Sequence, residues 1–185
     1  MTPAKPADIK PSQSFAPLVK TGAHTLVLGT MPGQKSLECQ QYYAHPRNAL
    51  WPILCAIATH SPPTYTVFQQ LSYEQRCTLV TKAGFALWDV LHSCVRPGSL
   101  DSNIDRQSEQ ANDIAGLIKL YPSIKRIVCN GRTSQALFKR HIISTLSSHA
   151  IDITSLPSTS PAMATLNLQA KFEQWNNAIR HNEAP

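Results

Sequence analysis

Four short runs, at about 24–28, 85–90, 126–129 and 150–155, read as buried strands in a chain of 185 residues, and stretches of helical periodicity lie between them. Short buried strands alternating with helices imply a parallel sheet covered by helices on both faces. Leu50, Ile53, Leu54 and Ile57 have helical spacing, with Pro52 tolerated in the first turn. Ser72 and Gln75 form a capping-box pair for a helix to about 83, and Gly84 stands where a C-terminal glycine belongs. Further helices are expected at about 110–121, stopped by Pro122, and at 133–141 after the Asn130-Gly131 turn. In the last helix Leu168, Phe172, Trp175 and Ile179 make one stripe, which belongs to the core. Residues 1–23, rich in Pro, Ser and Lys, are expected to be an arm that packs over or trails from a single domain spanning 24–185.

Composition narrows the function classes. No apolar run is long enough to cross a bilayer, and the first residues lack the apolar segment of a signal peptide, so a cytoplasmic protein is expected. Cys39, Cys55, Cys77, Cys94 and Cys129 are odd in number and widely spread without a Cys-x-x-Cys pair. This pattern suits neither a disulfide scaffold nor a zinc or iron–sulfur site, and no metal or other cofactor is expected. A formal charge of +6 permits a polyanionic partner such as DNA, but only 15% of residues are charged and no long basic run occurs, so charge alone does not decide it.

Parallel sheets bind ligands outside the carboxyl ends of their strands. The chemically unusual residues of this chain fall there: Gly29 to Gly33 after the first strand, Asp89 at the second, Asn130 after the third and Pro157 to Ser160 after the fourth. The stretch from Leu28 to Trp51 holds two Gly, two Pro, paired tyrosines and His-Pro-Arg-Asn48, and a connection of this length in a compact domain is usually functional.

In this order and spacing, Gly-Thr-Met-Pro-Gly33, Tyr-Tyr-Ala-His-Pro-Arg-Asn48, Leu-Trp-Asp-Val-Leu91 and Leu-Pro-Ser-Thr-Ser-Pro-Ala162 resemble the uracil-DNA glycosylase superfamily, and within it the hypoxanthine-DNA (deoxyinosine) glycosylases. The resemblance implies an α/β fold of three layers, α/β/α, around a four-stranded parallel sheet. It also implies a metal-independent, monofunctional enzyme that flips a deaminated base out of DNA and hydrolyses its N-glycosidic bond. Two positions depart from the wider pattern: Met31 stands where many relatives have an Asp or Asn that orients water, and Leu156 where many have His. In the hypoxanthine branch the water-orienting duty falls to the Asn of His-Pro-x-Asn, here Asn48.

The residues then take expected roles, each beside a structural alternative. Asn48 offers an acceptor for water and an amide donor for the leaving base, but it also suits capping of the next helix. Tyr43 resembles the ring on which the flipped base stacks, with Gly29 and Met31 completing the base pocket, whereas Tyr42 is expected to fill the core. Asp89 corresponds to the reader of the base edge: an ionised carboxylate accepts the N1–H of hypoxanthine and repels the N1 lone pair of adenine. Its alternative is to cap a loop or pair with Arg96. His45, Arg47, Ser158, Thr159 and Ser160 are expected at the DNA backbone, where ordinary loop and helix capping competes. Uracil or mismatch excision, a noncatalytic DNA-binding module and a flavodoxin-like nucleotide binder are the rival readings. A monomer is expected.

Overall fold

The computed structural model describes residues 10–146 and 151–180. Residues 1–9 of the expected arm, residue 150 of the expected fourth strand and the C-terminal residues 181–185 lie outside that description. In chain order the elements are β1 (Ser12–Gln13), β2 (Thr25–Gly29), α1 (Gln34–Cys39), α2 (Leu50–Thr59), α3 (Tyr65–Gln69), α4 (Tyr73–Lys82), β3 (Phe85–Asp89), β4 (Leu91–Cys94), β5 (Gln110–Ala111), α5 (Ile114–Leu120), β6 (Arg126–Asn130), α6 (Arg132–His141), β7 (Asp152–Leu156) and α7 (Leu168–Arg180).

The four expected strands form one parallel sheet in the order β3-β2-β6-β7. Alternation along β2 divides its side chains between two cores. Val27 packs with α2, α4 and α7 residues such as Leu54, Val80 and Trp175 on one face, and Leu26 and Leu28 pack with Leu117 of α5 and Phe138 of α6 on the other. This is the three-layer α/β/α arrangement. The chain runs from β2 outward to β3, then crosses back to place β6 on the other side of β2, so the sheet has a switch point between β2 and β6.

Local signals account for several boundaries. Ser72 and Gln75 form the reciprocal capping box of α4, and Gly84 follows it with φ +80, a conformation that L side chains avoid. Pro52 occupies the third position of α2, where no intrahelical N–H is required. On α7, Trp175 and Ile179 are fully buried, while Leu168 and Phe172 are half-buried against the same core.

Other expectations are corrected. The predicted helix at 110–121 begins only at Ile114, where the Asp113 carboxylate accepts from the Gly116 N–H, and residues 110–111 are strand β5 instead. The polar stretch after Asp89 contains β4, and β1, β4 and β5 make a second, antiparallel sheet. Strands two to four residues long carry too little alternation to be seen in the sequence. The long connection after β2 contains α1, whose six residues lack an N-terminal side-chain cap.

Residues 10–23 lie against the domain. Ser12 and Gln13 pair with β4, and Leu18 exchanges both backbone hydrogen bonds with Leu87 on the outer edge of β3. That edge would otherwise expose unpaired N–H and C=O groups. Trp175 is a second tie between core and site, because its fully buried indole donates to the Pro157 carbonyl at 3.0 Å. Trp175→Ala is expected to cost about 3–5 kcal/mol, read as a lower urea midpoint with little change in slope.

Candidate active site

Gly29, Asp89, Asn130 and Leu156 end the four parallel strands, and Gly29 is in register with Asp89, as Asn130 is with Leu156. A cleft of about 510 Å³ opens over these strand ends, lined by residues of the segments 29–36, 42–48, 96–101 and 158–163. Of the expected site residues, the cleft collects Gly29, Met31, Tyr43, His45, Asn48, Asp89, Ser158, Thr159 and Ser160. Arg47 is exposed and does not line it.

The floor is built on a close approach. A Cβ on Gly29 would lie 2.8 Å from the Tyr43 hydroxyl and nearer still to Asp89 Oδ1, so only glycine fits between them. Tyr43 itself has φ +53, a left-handed conformation that is uncommon for a bulky residue and marks a locally over-determined backbone. Its hydroxyl is buried without a hydrogen bond of good geometry. Burial first, and the neighbouring Asp89 charge second, push the phenol well above its ordinary range, while the nearby Asn130 side chain opposes this. Tyr42 is a core residue: its ring is buried, and its hydroxyl lies 3.1 Å from the Ala16 carbonyl and 3.3 Å from that of Phe15.

Asp89 is 3% exposed. Burial raises its carboxyl to about 7, Asp101 adds to the rise, and a hydrogen bond from Ser14 and the charge of Arg96 work against it. Ser14 Oγ donates to Oδ2 at 2.9 Å. The expected alternative of pairing with Arg96 is not what the structure shows. The buried Arg96 guanidinium instead donates to the Pro32 carbonyl and, at 3.4 Å, to Asp101, leaving its Nε buried without a partner. Arg96 therefore braces the first loop of the cleft and is no open phosphate contact.

Asn48 lines the cleft and also meets its structural alternative at the start of the next helix. Its Oδ1 accepts from the Leu50 N–H at 2.9 Å at the start of α2, although the residue immediately before the helix is Ala49. A carbonyl oxygen has two lone pairs, so this bond leaves capacity for a water in the cleft. His45 Nδ1 accepts from the Arg47 N–H at 3.1 Å, which places the proton of a neutral ring on Nε2 and makes that atom a donor.

Thr159, expected at the DNA backbone, is fully buried. Its N–H and Oγ1 clasp the Asn130 amide at 2.9 Å each, and its carbonyl accepts from the Ala49 N–H. It joins the end of β6 to the start of α2 as a strut. Ser158 and Ser160 are half-buried in the cleft wall; Ser158 Oγ accepts from the Ser160 N–H, and Ser160 Oγ from the Ala162 N–H. Behind them the buried Lys171 amine donates to the Ser160 carbonyl at 3.2 Å, and burial lowers its pKa.

Ser14, Asp101 and the Asn130–Thr159 clasp escaped the sequence reading. Ser14 lies in a Pro- and Ser-rich segment with no periodicity, and nothing local distinguishes its hydroxyl from its neighbours'. Among the described residues, no three His, Cys, Asp or Glu side chains gather in a way that could hold a metal ion. None of the described helices is long and apolar enough to cross a membrane.

Comparisons with known proteins agree with this fold. Residues 16–180 match the sequence family described as the uracil DNA glycosylase superfamily. A hypoxanthine DNA glycosylase of Methanosarcina barkeri is 30% identical over 122 residues, 66% of this chain and 72% of the relative. A hypoxanthine DNA glycosylase of Methanosarcina acetivorans is 27% identical over 169 residues, 91% of this chain and 98% of the relative. The solution NMR structure of a Methanosarcina acetivorans protein superimposes with a TM-score of 0.74 at 26% identity, covering 95% of this chain and all of that one. With its parallel sheet, its strand-end cleft and a match over most of its length, the chain belongs to the uracil DNA glycosylase superfamily, whose substrate is DNA.

Proposed function

We propose that this protein is a monofunctional, metal-independent DNA glycosylase that flips a deaminated base out of the helix and hydrolyses its glycosidic bond, with hypoxanthine preferred. The observation that carries the reading is the floor of the cleft, where a buried carboxylate, a glycine without room for a Cβ and a tyrosine hydroxyl converge on one point. Such a floor suits a flat heterocycle with an N–H donor on its edge. The names of the two archaeal relatives support hypoxanthine as that base.

In this mechanism the flipped base stacks on Tyr43, and ionised Asp89 accepts its N1–H. A water held by Asn48 forms its bond to C1′ as the C1′–N9 bond breaks; the bonding pair leaves with the base, the bound water loses one proton to solvent and the base takes one up. Positive charge builds on the sugar and negative charge on the base, so ordered dipoles serve better than a strong base. His45 Nε2 and the hydroxyls of Ser158 and Ser160 hold the DNA backbone, and Arg47 meets a phosphate outside the cleft. Uracil presents an N–H between two carbonyls and satisfies the same carboxylate, so it is the competing substrate.

Asn48→Ala is expected to lower single-turnover release of hypoxanthine at least 100-fold while duplex affinity stays within about threefold. An unchanged rate removes Asn48 from the mechanism. Alkaline cleavage of duplexes carrying one inosine, uracil or xanthine ranks the bases, and a break at uracil alone moves the preference away from hypoxanthine.

Because the Asp89 carboxyl titrates at about 7, excision should rise as pH increases through about 7, and Asp89→Asn should remove that rise. Stability runs the other way. A raised pKa means that the folded state holds this proton more tightly than the unfolded chain, so the contribution is full below the ordinary carboxylate range and is lost as pH climbs towards 7. The advantage in Tm of Asp89→Asn over the wild-type protein should therefore be larger at pH 8 than at pH 5, measured by thermal melts at both.

A further inference from the structure

The segment just before the first parallel strand reaches the floor of the cleft from behind. Ser12 and Gln13 pair with β4, the Ser14 N–H donates to the His92 carbonyl at 2.8 Å, and Leu18 is pinned to Leu87. Between these anchors the Phe15 carbonyl accepts from Trp88 Nε1 at 3.0 Å and Tyr42 donates to both the Phe15 and Ala16 carbonyls. A strap held at both ends and in the middle has little freedom, and it delivers one hydroxyl, that of Ser14, to Asp89 Oδ2 at 2.9 Å. The Tyr42 hydroxyl is also within its reach and the Phe15 carbonyl is 3.4 Å away, but the charged carboxylate at 2.9 Å is the better acceptor.

This bond decides what the cleft sees. With Oδ2 occupied by Ser14, Oδ1 is the oxygen that lies against Gly29, a residue of the cleft floor. We propose that Ser14 is a positioning residue that determines base choice: it orients the Asp89 carboxylate and holds it as an acceptor, so that a single oxygen meets the edge of the flipped base. The proposal rests on the reading of Asp89 as the base-edge group.

The groups facing this carboxyl are few. Tyr42 and Tyr43 approach from the connection before α2, Arg96 and Asp101 from the loop after β4, and Ser14 from the strap. Burial and Asp101 favour the neutral acid; Ser14 and Arg96 favour the carboxylate, and among the described residues Ser14 alone touches it with a hydrogen bond. A neutral carboxyl carries an O–H, which can donate to an acceptor such as the N1 of adenine, and discrimination by lone-pair repulsion is lost. Removing the Ser14 hydroxyl therefore shifts the site towards its unselective form at neutral pH.

The test compares wild-type protein with Ser14→Ala, Ser14→Cys and Ser14→Thr. The Asp89 carboxyl is titrated by carbon NMR in the free protein, and single-turnover release of hypoxanthine is measured across pH 5.5–9. In Ser14→Ala both the carboxyl titration and the acid limb of the rate profile should move up by about 0.5 pH unit or more, the worth of one net hydrogen bond. Ser14→Cys, a weaker donor of similar shape, should move both less, and Ser14→Thr should restore the wild-type positions. An Asp89 titration unchanged in Ser14→Ala and Ser14→Cys overturns the proposal, as does a rate lowered equally at every pH, which a purely structural strap would give. A wild-type protein that releases no base from inosine, uracil or xanthine duplexes overturns the glycosylase reading instead, and the carboxyl titration still reports whether Ser14 holds Asp89.

Discussion

A carboxyl group at the end of a buried strand is the constraint around which the cleft is organised. Removing Asp89 from water disfavours its charge and pushes its carboxyl up to about 7, against the pull of Ser14 and Arg96. Each neighbour is placed with respect to that group. Gly29 leaves out a Cβ that would collide with Oδ1, Ser14 occupies Oδ2, and Tyr43 is held in a left-handed conformation with its hydroxyl beside the same point. Arg96 stands back from the carboxylate, braced between Pro32 and Asp101, so that its field acts without an ion pair that would neutralise Asp89 outright.

The small antiparallel sheet has a clear purpose in this scheme. Strands of two to four residues contribute little stability by themselves. Yet β1, β4 and β5 tie the segment before β2 to the loops after β3, and both Ser14 and Asp101 then act on one carboxyl. On the far side of the cleft, the Asn130–Thr159 clasp joins the ends of β6 and β7, and the Thr159 carbonyl reaches the first residues of α2 next to Asn48. The proposed water-positioning and base-reading groups thus stand on separate rigid supports, joined at the switch point of the sheet.

The helices and strands that hold substantial cores were legible because their patterns are long enough to register: the first three parallel strands, the Ser72–Gln75 capping box and the Leu168–Ile179 stripe, whereas β7, expected to be buried, is an edge strand with Asp152 and Ile153 exposed. Asp89 was legible as a cleft residue because it ends a strand, and Tyr43 and Asn48 because they lie in the long Gly-, Pro- and Tyr-bearing connection that follows the first parallel strand. The helix expected at 110–121 was too long because Gln110 and Ala111 pair with β4, a long-range bond that outweighs local propensity. From sequence Thr159 reads as a DNA contact, because a Ser/Thr-rich turn looks the same whether its hydroxyls face solvent or a buried amide.

Sequence alone therefore determined the layered α/β architecture, the end of the sheet that bears the site and the residue types that face it, since these follow from short-range pattern and from where strands stop. Tertiary structure decided which polar groups are open and which are spent. Arg96 and Thr159 are consumed in bracing, Ser14 is recruited from 75 residues away, and the Asp89 carboxyl is tuned towards neutrality. Burial and hydrogen-bond partnership are properties of packing, and chain segments distant in sequence settle them only when they meet.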